Sequence, residues 1–359
     1  MVSTNAIRTP SAQPLLTAVI FLTMLTSCVA PPRQPRHRHV PGTQTYATRR
    51  AEPAAKVAKA TVLMAQIPRE GELSGLVGSM QRHTVAPDET LLTIARAGGL
   101  GFRELRDANP RIDEWAPRPG TNLVVPSRFI LPRSGYRGLV ANLAEMRLYL
   151  FPLDAEPGMR VPILTWPIGI GAEFAQSPIG SFTVKSKDAN PTWVVPDSIY
   201  SKMERPQHVV PPGPDNPLGE YRIRTSIDVY AIHGTNDPWT VGRLTTHGCI
   251  RLYPEDIADL YRLVGPGFPG EFVYEPVKLG QSKGRIYIEV HRDVYQREPD
   301  LEEEALDQLS RAGLTSRVDL ARVRAAAKAR TGIPEDVTIQ TAEPEAPADG
   351  TRQAGTHTY

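Results

Sequence analysis

The chain has 359 residues, 41 basic against 39 acidic, for a formal charge of +2, so no global field marks it for nucleic acid. Its 35 prolines and 28 glycines exclude an all-helical bundle, because proline breaks helix interiors. They predict a β-rich, turn-rich protein with room for about two domains plus tails.

Leu15 to Leu25 reads LLTAVIFLTML, shorter than the roughly 20 apolar residues a membrane span needs and of signal-peptide length. The string Leu25-Thr26-Ser27-Cys28 resembles a bacterial lipobox. That resemblance implies a signal peptide over 1–27, a mature chain starting at Cys28, and a lipid on the Cys28 sulfur. The lipid would tether the protein to a membrane facing the periplasm, and Val29, in place of an aspartate, favours the outer membrane. Residues 28–80 follow as a flexible basic tether, PPRQPRHRHVPG and onward, with a short helix expected over Ala54–Gln66. A solvated linker is the plain reading of this basic excess, with contact to anionic lipid or wall polymer as the alternative.

Residues 81–132 predict strand, helix, helix, strand. A strand at His83–Val85 precedes an acidic-capped helix from Asp88 whose Leu91, Leu92, Ile94 and Ala95 are apolar. A second helix runs near Phe102–Ala108 and stops at Asn109-Pro110, and Gly120–Pro126 supplies a turn and closing strand. This βααβ order resembles a LysM module, which implies binding to the N-acetylated sugars of peptidoglycan. Pro87-Asp88-Glu89-Thr90 stands where that motif has Gly-Asp-Thr, so packing of the helices on the next domain is the other reading.

Residues 136–296 predict a β-rich domain. Gly138–Leu143 and Met146–Phe151 form a hairpin around Ala144-Glu145. Further strands are expected at Val161–Ile170, Gly180–Ser186, Val229–Ile232, Glu271–Tyr274 and Arg285–Val290. One helix runs from Pro254 to Val264, with proline suited to its first turn. In the tail, 297–359, Asp300–Arg330 has helical patterning with acids before arginines, and from Ile333 onward the composition predicts disorder.

The chemistry concentrates between Ala231 and Leu252, AIHGTNDPWTVGRLTTHGCIRL. The chain's two cysteines are Cys28 and Cys249, so lipidation of Cys28 leaves Cys249 a lone thiol in an oxidising compartment. It is either a buried small apolar residue or a reactive one. A reactive cysteine needs a thiolate, and a nearby imidazole supplies it by taking the proton. His233 is placed at a strand end to face a return loop carrying Cys249, and backbone N–H groups near Gly248 and Cys249 suit an oxyanion. His233, His247 and Cys249 are also three potential zinc ligands, but no fourth stands at a convincing spacing, so no metal and no cofactor is expected.

His233-Gly234-Thr235 with Thr246-His247-Gly248-Cys249-Ile250-Arg251-Leu252 resembles the signature of L,D-transpeptidases with a YkuD-type catalytic domain. Val140–Leu143, Pro178–Val184, Asn190–Trp193 and Val210–Pro214 are also similar, in the family's order. The resemblance implies a mainly β fold with few helices, a β-sandwich catalytic domain preceded by the small LysM-like domain. It makes Cys249 the nucleophile, His233 its base, the Gly234 carbonyl the group orienting the imidazole, and His247 a support lining the pocket. Arg251 then meets a substrate carboxylate or, preferably, braces the loop. Trp193 and Trp239 frame the cleft or are simply buried aromatics. The implied partners are peptidoglycan stem peptides, with a second stem, an outer-membrane lipoprotein lysine or water opening the thioester. A non-catalytic wall-binding lipoprotein is the rival class, against which the intact His233 and Cys249 speak.

Overall fold

The computed structural model describes residues 61–201, 207–298 and 300–340, all inside the unit spanning 53–359. The expected leader, Cys28 and the basic stretch up to residue 60 lie outside the described residues, as does 341–359.

The first described element is a strand, β1 (Thr61–Gln66), which corrects the helix expected over Ala54–Gln66. Leu63 and Ala65 are buried while Val62 and Met64 are exposed, the period-two alternation of a half-buried strand. The tether expected to reach residue 80 therefore stops short of residue 61, and β2 (Leu76–Gly78) is ordered as well. Next come β3 (Gln81–Thr84), α1 (Leu91–Ala97), α2 (Phe102–Ala108) and β4 (Asn122–Val125), with β3 antiparallel to β4. The acidic cap expected at Asp88 is corrected too. Thr90 caps α1 in a reciprocal capping box with Thr93, while Asp88 takes a left-handed turn at φ 67°. β5 (Arg128–Ile130) then pairs with β2.

The central domain holds β6 (Gly138–Asn142), β7 (Arg147–Phe151), β8 (Arg160–Pro167), β9 (Ile170–Gly171), β10 (Gly180–Ala189), β11 (Trp193–Val194), α3 (Asp197–Tyr200) and β12 (Val209–Val210). It continues with β13 (Tyr221–Thr225), β14 (Ala231–His233), β15 (Leu244–Thr246), β16 (Ile250–Arg251), α4 (Pro254–Leu263) and β17 (Pro269–Val273). Nine strands join in the order β1-β8-β7-β6-β17-β10-β13-β14-β16. β10 is the corner: Gly180–Thr183 pairs with β17, and beyond a bulge at Val184–Ser186 the strand pairs with β13. Such bulges let one strand pass between two layers. The layers enclose a core that includes Leu139, Leu148, Trp166, Phe182, Ile232, Ile250 and Phe272, closed by Ile257 and Leu260 of α4. The other face of the first layer is also covered, since Val140, Tyr149, Phe151 and Ile163 share a second core with Leu91, Phe102, Leu105 and Leu123 of the βααβ segment. Burial on both faces explains why β6 reads as an almost unbroken apolar run.

Polar contacts lock the βααβ segment to this sheet. The guanidinium of Arg147, 1% exposed, pairs with Glu104 at 2.7 Å and donates to the Gly99 carbonyl at 3.1 Å. Arg96 clamps Glu255 through two bonds of 2.7 Å, and Tyr253 donates to the Leu100 carbonyl at 3.2 Å. At the closest approach a Cβ on Gly101 would stand 2.8 Å from the Gly242 Cα, so only glycine lets the two backbones meet there.

The expected domain end at 296 is corrected. β18 (Val277–Ser282) and β19 (Arg285–Val290) leave the large sheet and pair with each other and with β20 (Glu335–Asp336). They share a third core with α5 (Leu301–Arg311) and α6 (Leu320–Ala329). Disorder from Ile333 is corrected as far as residue 340: Val337 is fully buried in that core and β20 extends its sheet. The helical patterning was a sound guide to α5 and α6, but a composition rich in Glu, Pro and Thr hid one strand, β20, whose partners are Tyr287 and Ile288, far back along the chain. Lys278, 2% exposed, ties the parts together, bridging Glu145 at 2.5 Å and Glu289 at 2.8 Å and donating to the Ile130 carbonyl at 2.7 Å.

Candidate active site

β14 and β16 run parallel, with Ile232 opposite Ile250 and His233 opposite Arg251. Side chains alternate along a strand. Ile232 and Ile250 are buried in the core, so His233 and Arg251 project from the opposite face, together with Ala231 and Cys249 one ladder step earlier. Residues 16 apart in sequence thereby become near neighbours on one face, offset by two positions. The backbone of Ala231 hydrogen-bonds the Cys249 sulfur, which agrees with that register. The Cys249 thiol also donates to the Val229 carbonyl at 3.8 Å.

The His233 ring settles its own tautomer. Nδ1 lies 2.6 Å from the Gly234 carbonyl oxygen, which can only accept, so Nδ1 carries the proton and Nε2 keeps its lone pair. Burial, reinforced by the Arg251 charge, lowers the imidazole to about 3 despite the Gly234 bond. Burial likewise raises the Cys249 thiol, opposed by the Ala231 bond and by the fields of Arg251 and Arg222. Both shifts favour the neutral forms of the thiol and the imidazole, and the two arginine charges favour negative charge that develops at the sulfur.

The loop around the sulfur is held from below. Thr246 Oγ1 donates to the Cys249 carbonyl at 2.6 Å and accepts from the Gly248 N–H at 3.1 Å. The Gly248 N–H expected to face an oxyanion is therefore engaged within the loop. Gly248 has φ 101°, and a Cβ there would stand 2.4 Å from Tyr230 Cε1, so glycine is required on both counts. Arg251 donates from Nη1 to Thr240 Oγ1 at 2.9 Å and so braces the Pro238–Thr240 turn, while its buried Nε has no hydrogen-bond partner among the described residues. Trp239 sits on that turn, 43% exposed. His247 is exposed and meets Phe174 edge-on at 5.9 Å. Trp193 lies half-buried in the β11–β12 hairpin.

Three residues escaped pattern reading. Val229 supplies the carbonyl that holds the thiol, and nothing in its type signals this. Arg222 sits opposite His233 on β13 and carries charge into the site. Asn216, fully buried, donates to the carbonyls of Pro191, Val210 and Pro211 and accepts from the Leu218 N–H. It pins the Trp193 excursion beside His233, since Gly219 packs against Gly234. A lone Asn in a proline-rich loop was the available signal.

Residues 136–277 match the model of the YkuD family, the L,D-transpeptidase catalytic domain. That match ends where β18 begins and the third core takes over. Among curated relatives, the probable L,D-transpeptidase YbiS of Escherichia coli K12 is 37% identical over 244 residues, covering 66% of this chain and 77% of its own. YcfS of the same strain, also a probable L,D-transpeptidase, is 34% identical, covering 76% of this chain and 88% of its own. ErfK/SrfK of that strain is 34% identical, covering 77% and 92%.

Proposed function

Since this chain belongs to the L,D-transpeptidase family, acyltransferases that act on peptidoglycan stem peptides, we propose that it performs this transfer through a thioester on Cys249, with His233 as the base. The observation that carries the assignment is the register of β14 and β16, which sets Cys249 and His233 on one face two positions apart, with Nδ1 of His233 engaged by the Gly234 carbonyl.

The reaction follows from those groups. As Sγ attacks the carbonyl of the third stem residue, the thiol proton passes to Nε2 and an oxyanion forms in the field of Arg251 and Arg222. Collapse expels the terminal D-alanine, whose amine takes the proton from Nε2 and leaves a thioester. An acceptor amine then attacks, gives its proton to Nε2, and the departing thiolate recovers it. Two steps conserve the acyl bond energy without a nucleotide. The Gly234 carbonyl orients the imidazole as a carboxylate does in other triads, and Thr246 and Gly248 set the sulfur's height. Arg251 serves as a brace for the Thr240 turn.

The βααβ segment is the module suited to wall glycan, and Cys28 the site of lipid attachment at the periplasmic face of the outer membrane. No helix among the described residues is long and apolar enough to cross a membrane.

The test offers the full mature chain two acceptors at once, tetrapeptide muropeptides and a lipoprotein C-terminal peptide ending in lysine, with products read by mass spectrometry. A stem–stem dimer lacking one D-alanine establishes 3→3 cross-linking, and a stem–lysine conjugate establishes attachment of membrane to wall. Tripeptide alone makes water the acceptor and the protein an L,D-carboxypeptidase. No turnover with Cys249 reduced overturns the enzymatic reading in favour of a wall-binding lipoprotein.

A further inference from the structure

An open cleft of about 200 Å³ lies where α2, β15 and the segment after β19 converge, lined by Arg103, Arg292 and Arg330 with Leu244, Glu173 and Asp293. Its lining sets three arginines against two acids. Arg103 makes no hydrogen bond or ion pair with the described residues; burial and the charges of Arg106, Arg292 and Arg243 act against its own charge, with Asp107 opposing them. The neighbouring acids are already committed. Asp107 Oδ1 is shared by Arg106 at 2.7 Å and Arg292 at 3.2 Å. Asp293 accepts from the Tyr274 hydroxyl and, through Oδ2, from the Glu298 N–H at 2.8 Å. Arg103, with no acid bonded to it among the described residues, and Arg330, held through Nε by the Ala327 carbonyl at 3.2 Å, keep guanidinium N–H groups for a carboxylate, which arginine binds through two parallel bonds.

The cleft shares a wall with the nucleophile's loop. Leu244 begins β15, whose Thr246 holds the Cys249 carbonyl. Glu173 follows Ala172, whose N–H donates to the Thr246 carbonyl at 2.9 Å. The five residue steps from Leu244 to Cys249 span at most about 17 Å of extended chain. An exposed acid, Glu173, stands on this wall with the arginines behind it.

We propose that this cleft is the acceptor subsite: it binds the carboxylate of an amine-bearing amino acid at Arg103 and Arg330, and Glu173 attracts the ammonium towards the Cys249 thioester. The chemistry recognised is an amine and a carboxylate on one residue. Two sources present it, the diamino acid of a second stem peptide and the C-terminal lysine of a polypeptide. The inference rests on the proposed function for the transfer step, but binding at the cleft does not require Cys249 to react.

The experiment uses the full mature chain and the double variant Arg103→Gln/Arg330→Gln, which spares Arg292 and its ion pair. Each is loaded with a carbapenem and with tetrapeptide donor, then given a lysine-ending peptide as free acid or as carboxamide, and separately a second stem with its diamino-acid carboxylate free or amidated. Acylation and thermal stability are expected to stay as in the parent. Transfer to the acid form of at least one source should fall roughly tenfold, with the amide form unchanged, and the source that falls is the one the cleft serves. Equal acid-to-amide ratios in parent and variant for both sources would overturn the proposal. Calorimetry on Cys249→Ala protein, with and without the two arginine changes, repeats the acid–amide comparison without chemistry. A missing thioester with an intact acid preference thus indicts the catalytic assignment, and a normal thioester with no acid preference indicts the cleft.

Discussion

The thiol of Cys249 donates to the carbonyl of Val229 across 3.8 Å, and Val229 presents that carbonyl from a left-handed backbone at φ 65°. A β-branched residue in that region is a steric outlier, and at 88% exposure its side chain gains nothing from burial. The chain therefore holds a strained peptide directly against the Cys249 thiol, an arrangement typical of functional sites.

Replacing Val229 by glycine removes a left-handed penalty of about 1–2 kcal/mol and adds back up to about 1 kcal/mol of glycine entropy. Val229→Gly is therefore expected to keep or raise the melting temperature while slowing acylation, because the carbonyl is no longer fixed. A clear drop in melting temperature argues that the turn is not strained.

Cys249→Ala is expected to abolish covalent capture of a carbapenem, read as the loss of the mass adduct on an otherwise folded protein. An adduct persisting on the variant removes Cys249 from its assigned role.

The acylation rate should be flat from pH 5 to 7, with no titration near the ordinary histidine value. Burial lowers His233 to about 3 and raises the Cys249 thiol, so neither group changes charge in that window. The same shift has a consequence for stability. The unfolded chain binds a proton at this histidine below about 6.5 while the folded chain does not, so His233 contributes stability above that value and loses it as pH falls towards 3. Carbapenem acylation across pH checks the first statement and acid titration of wild type against His233→Gln the second.

Arg147→Ala leaves Glu104 buried without its partner and is expected to cost about 3–5 kcal/mol, measured by denaturant unfolding. Glu104→Leu with Arg147→Met removes both charges and should cost distinctly less. If single and double variants are equally damaged, the pair is not what holds the βααβ segment to the sheet.

Cys28→Ser is expected to move the protein from the membrane fraction to the soluble one. Unchanged fractionation counts against lipid attachment at that position.

What could be read directly was local. The hairpin about Ala144-Glu145, the α4 start at Pro254 and the run from Thr246 to Leu252 are each specified by neighbours in sequence, through turn preference, a fixed proline φ, and the residue types that thiol chemistry needs. The sequence by itself thus determined the family and most strands and helices. Three things were decided only by tertiary structure. The strands β1 and β20 find their partners far along the chain, so no local pattern distinguished them from tether and tail. The third core takes β18 and β19 away from the large sheet because their apolar faces are covered by α5 and α6. Finally, the protonation of the site depends on burial and on Arg251 and Arg222 converging from separate strands. A pKa responds to everything within a few ångströms, whatever its distance in sequence.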